Sequence, residues 1–136
     1  MGGLEVIVVD THVIIWDALK PGQIGKKAKN AINNANKADG ILFCDISLWE
    51  IAMLISRSKL TVDTSYQEFI KLVMNSNNYH LQNITPEIAE KSTSLPDEVS
   101  KDPADRIIAA TSIIKKVPLV TADKNLIKSK SIETIW

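Results

Sequence analysis

Four acidic residues stand at positions where a folded chain can bring them together. The set comprises Asp10, which ends an apolar run, Glu50 within SLWEIA, Asp105 within DPADRIIAAT and Asp123 within LVTADK. In a parallel sheet, ligands bind beyond the carboxyl ends of the strands, so we expect these carboxylates near one another. The hydroxyls of Thr11 and Thr121 lie beside the first and last acids and are predicted to orient a carboxylate or a water molecule.

The residue types indicate what such a cluster would do. Carboxylates held close together repel one another, and their pKa values rise unless a cation neutralises them. Oxygen ligands with no cysteine or paired histidine nearby suit Mg²⁺ or Mn²⁺ rather than zinc. A divalent ion in an open carboxylate site activates water, which favours hydrolysis of a phosphodiester bond as the chemistry.

The same acids also have an interpretation as helix caps. Ser47-x-x-Glu50 is a capping-box pattern, and Asp102 before a proline is a typical N-cap that leaves Asp105 in the first helical turn. The first and last acids of the set can each cap a helix as well. Both interpretations are compatible, because a helix start fixes the position of a carboxylate and its positive end favours the ionised form.

Apolar spacing predicts an alternation of strands and helices. The predicted strands cover 4–10, 41–45, 79–84, 117–121 and 132–136, and the predicted helices cover 23–38, 47–56, 65–74, 85–94 and 102–116, with a short one after Asp123. This order predicts an α/β sandwich with a mainly parallel sheet. A length of 136 residues suits one domain, so we expect residues 1–136 to form a single domain.

Composition excludes several classes of protein. The 16 basic and 16 acidic side chains cancel, which argues against a protein that coats nucleic acid by bulk charge. Lysine clusters such as 26–29 and 124–130 are either solvated surface or local phosphate contacts. Cys44 is the only cysteine, which excludes an internal disulfide and a thiolate metal cluster. The sequence has no membrane-spanning run and no signal-peptide pattern, so we expect a cytoplasmic location away from membranes.

The amino-acid sequences of four motifs resemble those of a known family. VVDTHVIIW (8–16), ISLWEIAML (46–54), DPADRIIAAT (102–111) and LVTADK (119–124) occur in the order typical of PIN-domain proteins, specifically the VapC-type ribonuclease toxins of toxin–antitoxin pairs. The resemblance implies a three-layer α/β/α sandwich whose parallel sheet has about five strands, with an acidic pocket at its carboxyl edge. It also implies a metal-dependent endoribonuclease in which the catalytic and metal-binding residues are Asp10, Glu50, Asp105 and Asp123. Asp102 and Thr121 match positions to which the resemblance assigns supporting roles.

The resemblance also implies partners. RNA is the implied substrate, and such proteins usually form homodimers. An antitoxin holds them inactive by inserting a peptide near the acidic pocket, often with an arginine. Met53, Leu54 and Ile55 are candidates for the antitoxin groove, although an ordinary core position explains them equally well.

Three other functions are compatible with parts of the pattern. A PIN-type nuclease can act in RNA processing without an antitoxin, and a protein with this fold can be a non-catalytic module that binds RNA or protein. A phosphatase with an aspartate nucleophile is disfavoured, because it needs a second aspartate where this chain has His12.

Aromatic residues near the acids have ordinary interpretations. His12 is expected to be packed or hydrogen-bonded rather than to act as a base. Trp16 and Trp49 are expected to pack against the sheet, with base stacking as the alternative. Cys44, in an apolar strand, is expected to be a small core residue.

Overall fold

A parallel sheet of five strands forms the centre of the computed structural model, which describes residues 5–136. Its strands are Val6–Val9 (β1), Gly40–Cys44 (β2), Tyr79–Gln82 (β3), Leu119–Val120 (β4) and Thr134–Ile135 (β5). They lie in the order β3-β2-β1-β4-β5, and every strand pair is parallel. Position 4, where the first strand was predicted to start, lies outside the described residues.

Helices connect these strands and cover both faces of the sheet. They are Thr11–Leu19 (α1), Lys26–Lys37 (α2), Asp45–Ser56 (α3), Tyr66–Ser76 (α4), Pro86–Ser94 (α5), Pro103–Lys115 (α6) and Lys124–Lys128 (α7). Ile7 and Val9 of β1 point into a core shared with α1, α2 and α4, whereas Val8 points into a second core shared with α5, α6 and α7. This alternation produces three layers, so the predicted α/β/α sandwich with a parallel sheet of five strands is confirmed.

Several helix starts differ from the prediction, among them that of α2, which was predicted at 23 and lies at Lys26. A strand was predicted to run up to Asp10, but β1 ends at Val9 and Asp10 is the N-cap of α1. Helix α1 was absent from the predicted elements, because its β-branched residues at 11 and 13–15 favour a strand locally, whereas their burial is what holds them in a helix. The third helix was predicted to begin at Ser47 but begins at Asp45, so Ser47 lies within α3 and does not cap it.

Three residue-level expectations have different outcomes. Cys44 is buried in the core beside α6, as expected, and burial raises the pKa of its thiol to about 12. Trp16 packs on the core as expected. The same expectation is wrong for Trp49, which is 58% exposed on α3. None of the described helices has the length and apolar character needed to cross a bilayer.

Helix α6 ends in a conformation that glycine would adopt more readily. Lys116 has φ 59° and ψ 43°, in the left-handed region, while its N–H donates to carbonyls of the last turn. We expect Lys116→Gly to stabilise the fold by about 0.5–1 kcal/mol, because an L side chain disfavours this conformation. Urea unfolding would measure the change. Lys115→Gly, one residue earlier within the helix, should instead destabilise by up to about 1 kcal/mol, and equal effects of the two variants would contradict the argument.

Candidate active site

The site lies where the chain changes direction across the sheet. The chain leads from β1 to β2 and β3 on one side, then returns from β3 through α5 and α6 to β4 on the other side of β1, which leaves a crevice beyond the carboxyl ends of β1 and β4. The register pairs Val9 with Val120, so the residues that follow them, Asp10 and Thr121, are neighbours at the sheet edge. The topology therefore brings together two motifs that are 111 positions apart in the sequence.

Asp10 is fixed at this edge by two hydrogen bonds. Thr121 donates its hydroxyl to Asp10 Oδ2 at 2.7 Å, and the backbone N–H of His12 donates to Asp10 Oδ1 at 3.3 Å. Thr121 Oγ1 also accepts the N–H of Asp123 at 3.0 Å. Thr121 is fully buried, so a single hydroxyl sets the relative positions of the first and last acids.

Glu50 reaches the same crevice from helix α3. It is 93% buried, and its Oε1 has no hydrogen-bond partner, alone among the buried side-chain oxygens and nitrogens of residues 5–136. Thr11 Oγ1 and Ser47 Oγ lie 2.8 Å apart and share one hydrogen bond, and the Thr11 side chain lowers the pKa of Glu50 against the larger effect of burial. Because a buried oxygen without a partner costs free energy, its persistence here indicates a position reserved for a cation, a water molecule or a substrate.

Asp102 and Asp105 approach from the start of helix α6. Asp102 Oδ1 caps the helix by accepting the N–H of Ala104 at 2.8 Å, and Ser100 donates its hydroxyl to Asp105 Oδ2 at 3.2 Å. One carboxylate oxygen from each of Glu50, Asp102 and Asp105 lies within 4.8 Å of the others. Asp102, expected to be a cap or supporting residue, is therefore a cap and also stands close enough to share a cation.

Asp123 completes the wall of the crevice. Its Oδ1 caps helix α7 by accepting the N–H groups of Asn125 and Leu126 at 2.9 and 3.0 Å. A cavity of about 260 Å³ is lined by the four acids of the predicted set together with His12, Trp16, Asp102 and Ala122. The structure thus brings together every acid that the sequence singled out, and Thr11 and Thr121 lie directly behind them.

Burial and mutual repulsion raise the pKa values of two acids of this cavity. Burial, followed by the charges of Asp10, Asp102 and Glu50, raises the pKa of Asp105 to about 7, and only the Ser100 hydroxyl opposes this rise. Burial is also the largest cause of the raised pKa of Glu50, with Asp102 and Asp10 adding to it. A divalent cation would relieve this repulsion and would give Glu50 Oε1 a partner, so the residues present fit such an ion.

The raised pKa of Asp105 predicts a pH-dependent stability in EDTA. Its folded-state pKa of about 7 lies above the ordinary 3.8, so between these values the folded chain holds a proton that the unfolded chain has released. The contribution to stability is complete below the unfolded value and is lost as the pH rises through about 7. We expect the melting temperature to fall between about pH 5 and about pH 8, and to fall less in Asp105→Asn.

A matched substitution tests whether the dependence of melting temperature on pH arises from Asp105. Asp63 is exposed on a loop, so Asp63→Asn should keep the wild-type dependence of melting temperature on pH. Adding Mg²⁺ at about pH 8 should raise the melting temperature of the wild type more than that of Asp105→Asn. Identical slopes for the wild type and Asp105→Asn would show that the carboxyl group is not perturbed as the structure indicates.

Sequence reasoning missed three residues that hold the acids in place. Ser100 contacts Asp105 and also accepts the N–H of Asp102 at 3.1 Å, and Ser47 pairs with Thr11. Arg106 donates to backbone carbonyls of the segment that precedes α6. The pattern SxxE was the available signal for Ser47, but it was interpreted as a helix cap. Ser100 carries no signal in the sequence, because its role depends on the course of a loop.

Comparisons with known proteins find similar sequences over most of the chain. A model of the PIN domain family matches residues 7–130. The chain is 28% identical over 123 residues to Ribonuclease VapC22 of Mycobacterium tuberculosis, and the match covers 90% of this chain and 91% of that protein.

Solved structures share the fold at lower sequence identity. VapBC2 from Rickettsia felis bound to a DNA fragment from its promoter has a TM-score of 0.69 at 16% identity, covering 95% of this chain and 96% of that chain. DNA-bound VapBC from Salmonella typhimurium has a TM-score of 0.68 at 14% identity, covering 94% and 95%. These similarities concern the fold of the whole described chain and not one motif.

Proposed function

The chain belongs to the PIN-domain family, and from that premise we propose that it is a metal-dependent endoribonuclease, the toxin of a toxin–antitoxin pair. The observation that carries the proposal is the acidic cavity, in which Glu50 Oε1 is buried without a partner. The similarity to Ribonuclease VapC22 supports RNA as the substrate. The family model spans residues 7–130, which supports a single domain over 1–136.

We assign the catalytic and metal-binding roles to the four acids that the sequence singled out: Asp10, Glu50, Asp105 and Asp123. The distances support adding Asp102, whose carboxylate reaches those of Glu50 and Asp105. All-oxygen ligands favour Mg²⁺ or Mn²⁺ as the ion. When bound, such an ion supplies positive charge that lowers the pKa of water and offsets the negative charge that develops on the phosphate.

The chain's own groups prepare the cavity for this chemistry. Thr121 holds Asp10 in one orientation, and the Ser100 hydroxyl favours the ionised form of Asp105. Glu50 Oε1 can accept a hydrogen bond from a water molecule without giving up another contact. The acids are thus oriented before the substrate arrives, which lowers the reorganisation needed during hydrolysis.

A cleavage assay tests the enzymatic proposal. Purified chain, free of any partner, should cut RNA in Mg²⁺ or Mn²⁺ and stop in EDTA. Asp10→Asn protein prepared in the same way should be inactive, which excludes a contaminating nuclease. If neither ion produces cleavage of any structured or single-stranded RNA, the proposal is wrong. If RNA is cut, sequencing the RNA ends that appear after induced expression of the protein would identify the target.

An exposed apolar groove supports a protein partner. Leu19 at the end of α1 is 42% exposed and Leu72 on α4 is 56% exposed, and they flank a cavity of about 560 Å³ floored by Phe69 and Val73. Solvent-exposed apolar surface of this kind marks a binding site. We propose that an antitoxin covers this groove and extends to Met53–Ile55 on α3, the helix that contacts α4. A small overlapping upstream gene for a DNA-binding protein would support the pair, and its absence would favour RNA processing.

Homodimerisation and a cytoplasmic location complete the proposal. Strand β3 is an outer strand of the sheet. Leu81 of β3 is 52% exposed, and Ile84, which follows β3, is 41% exposed, which supports a second copy packing along this strand. Light scattering during size-exclusion chromatography would measure the oligomeric state. We also propose a cytoplasmic location, because the proposed substrate is RNA.

A further inference from the structure

Three neighbouring aromatic rings extend from the acidic cavity, two of them on helix α1 and the third directly after β5. They are His12, Trp16 and Trp136, which we call the aromatic row. His12 and Trp16 are four residues apart on α1, so their side chains share one face of the helix. Both residues line the same cavity as the acids, which places the start of the row at the site of hydrolysis.

The row is continuous and keeps accessible surface. The ring centroids of His12 and Trp16 are 5.9 Å apart, and those of Trp16 and Trp136 are 5.8 Å apart. The planes in each pair are tilted by 53° and 54°, so neighbouring rings are not stacked face to face. His12 is exposed and both tryptophans are half-buried.

Positive charge stands at the far end of the row. A Cβ atom added to Gly25 would lie 3.3 and 3.4 Å from the Trp136 ring atoms Nε1 and Cδ1, so this ring packs directly on the turn that precedes α2. Lys26 and Lys27 follow Gly25 at once and are exposed. From one end to the other, the surface therefore offers acidic groups suited to a metal ion, then aromatic faces, then lysines.

We propose that the aromatic row holds the bases of single-stranded RNA beside the scissile phosphate, with Lys26 and Lys27 contacting the backbone farther along the strand. This inference rests on the proposed ribonuclease function and adds to it the side chains of this chain that would hold the bases and the backbone of the substrate. Aromatic faces stack on any base, and lysines neutralise phosphates, which is the usual combination in proteins that bind single strands. In a duplex both faces of each base are already covered, so a paired segment cannot use this surface.

Equilibrium binding without cleavage tests the proposal. The probe is an unstructured single-stranded RNA of about ten nucleotides, and the protein is the Asp105→Asn variant in EDTA. In this background, Trp16→Leu should weaken binding about tenfold, and Trp16→Tyr should restore most of the affinity because it keeps an aromatic face. Trp49→Leu is the matched control, since Trp49 is exposed but does not line the cavity, and it should bind like the parent.

A fluorescence measurement tests the proposal even if Trp16→Leu does not fold, because it uses protein that retains Trp16. RNA should quench the tryptophan emission of Trp49→Phe protein, which retains Trp16 and Trp136, and a fully paired duplex of the same length should quench it much less. Replacing Lys26 and Lys27 with glutamine should flatten the decrease in affinity with salt, because about one counterion is released per phosphate contact. Equal losses from Trp16→Leu and Trp49→Leu, or equal quenching by duplex, would overturn the proposal.

The two proposals fail in different ways. If the wild type cuts RNA but Trp16→Leu folds and binds like the parent, the aromatic row is not the base-binding surface and the nuclease proposal stands. If the wild type never cuts RNA but the aromatic variants change binding as expected, the nuclease proposal fails and the RNA-binding surface stands.

Discussion

Replacing Glu50 with glutamine is expected to reduce RNA cleavage by roughly 10²–10³-fold while raising the melting temperature of the protein in EDTA. Glu50 is 93% buried, and burial and neighbouring acids raise its pKa, so its ionised form is unfavourable in the absence of a cation. Glutamine has nearly the same shape and carries no charge. The variant should therefore relieve repulsion in the acidic cavity and lose the charge that the reaction needs.

The two readouts together separate a catalytic role from a structural one. A residue kept only for packing or capping would lose stability on substitution, and its activity would fall in parallel with the folded fraction. Glu87→Gln is the matched control, because Glu87 lies exposed in the first turn of α5 and should leave cleavage unchanged. Cleavage by Glu50→Gln at the wild-type rate would remove Glu50 from the site.

Replacing Arg106 with methionine is expected to destabilise the fold by about 2–4 kcal/mol and to impair cleavage as well. Its guanidinium donates to the carbonyls of Ser92 and Ser100 at 2.9 Å, to that of Pro96 at 3.4 Å, and to that of Leu95. Methionine fills a similar volume but donates no hydrogen bond. The loop that carries Ser100 would lose its anchor, and the Ser100 hydroxyl would no longer be held beside the acids.

Chemical denaturation and cleavage assays measure the two effects. Arg57→Met is the matched control on an exposed arginine and should change stability little. Arg106→Lys should recover only part of the loss, because an ammonium group cannot reach several carbonyls as the planar guanidinium does. The ion pair with Asp97, at 3.8 Å and with Asp97 88% exposed, contributes little, so Asp97→Asn should resemble the wild type. An unchanged unfolding free energy for Arg106→Met would contradict the assignment.

Local chemistry explains why much of the fold was predictable. Thr85 and Ser65 cap helices through their hydroxyls, as residue type alone suggests, and α5 begins at a proline. Strand β2 was predicted within one residue at each end, because a short apolar run between polar residues is typical of a buried strand. Helix α1 was not predicted, because its strand-like composition was outweighed by packing against the sheet.

The candidate site divides in the same way. The sequence supplied the acids and their grouping, because carboxylates at helix starts and strand ends carry a local signal, and the resemblance implied their catalytic and metal-binding roles. It supplied no signal for Ser100 and only a misleading one for Ser47, which was interpreted as a cap and instead satisfies Thr11 inside the fold. Trp49 and Trp16 looked alike in the sequence, yet one is exposed on α3 and the other lines the cavity.

The sequence by itself determined the fold class, the order of the strands and of every helix except α1, and the acids that line the cavity, because each depends on apolar period, cap chemistry or residue type over a few positions. The tertiary structure alone decided which oxygen stays without a partner, which hydroxyl holds which carboxylate, and which aromatic rings reach the cavity. These properties depend on distances between segments that are far apart in the chain. Sheet order sets those distances, through pairings such as that of Val9 with Val120.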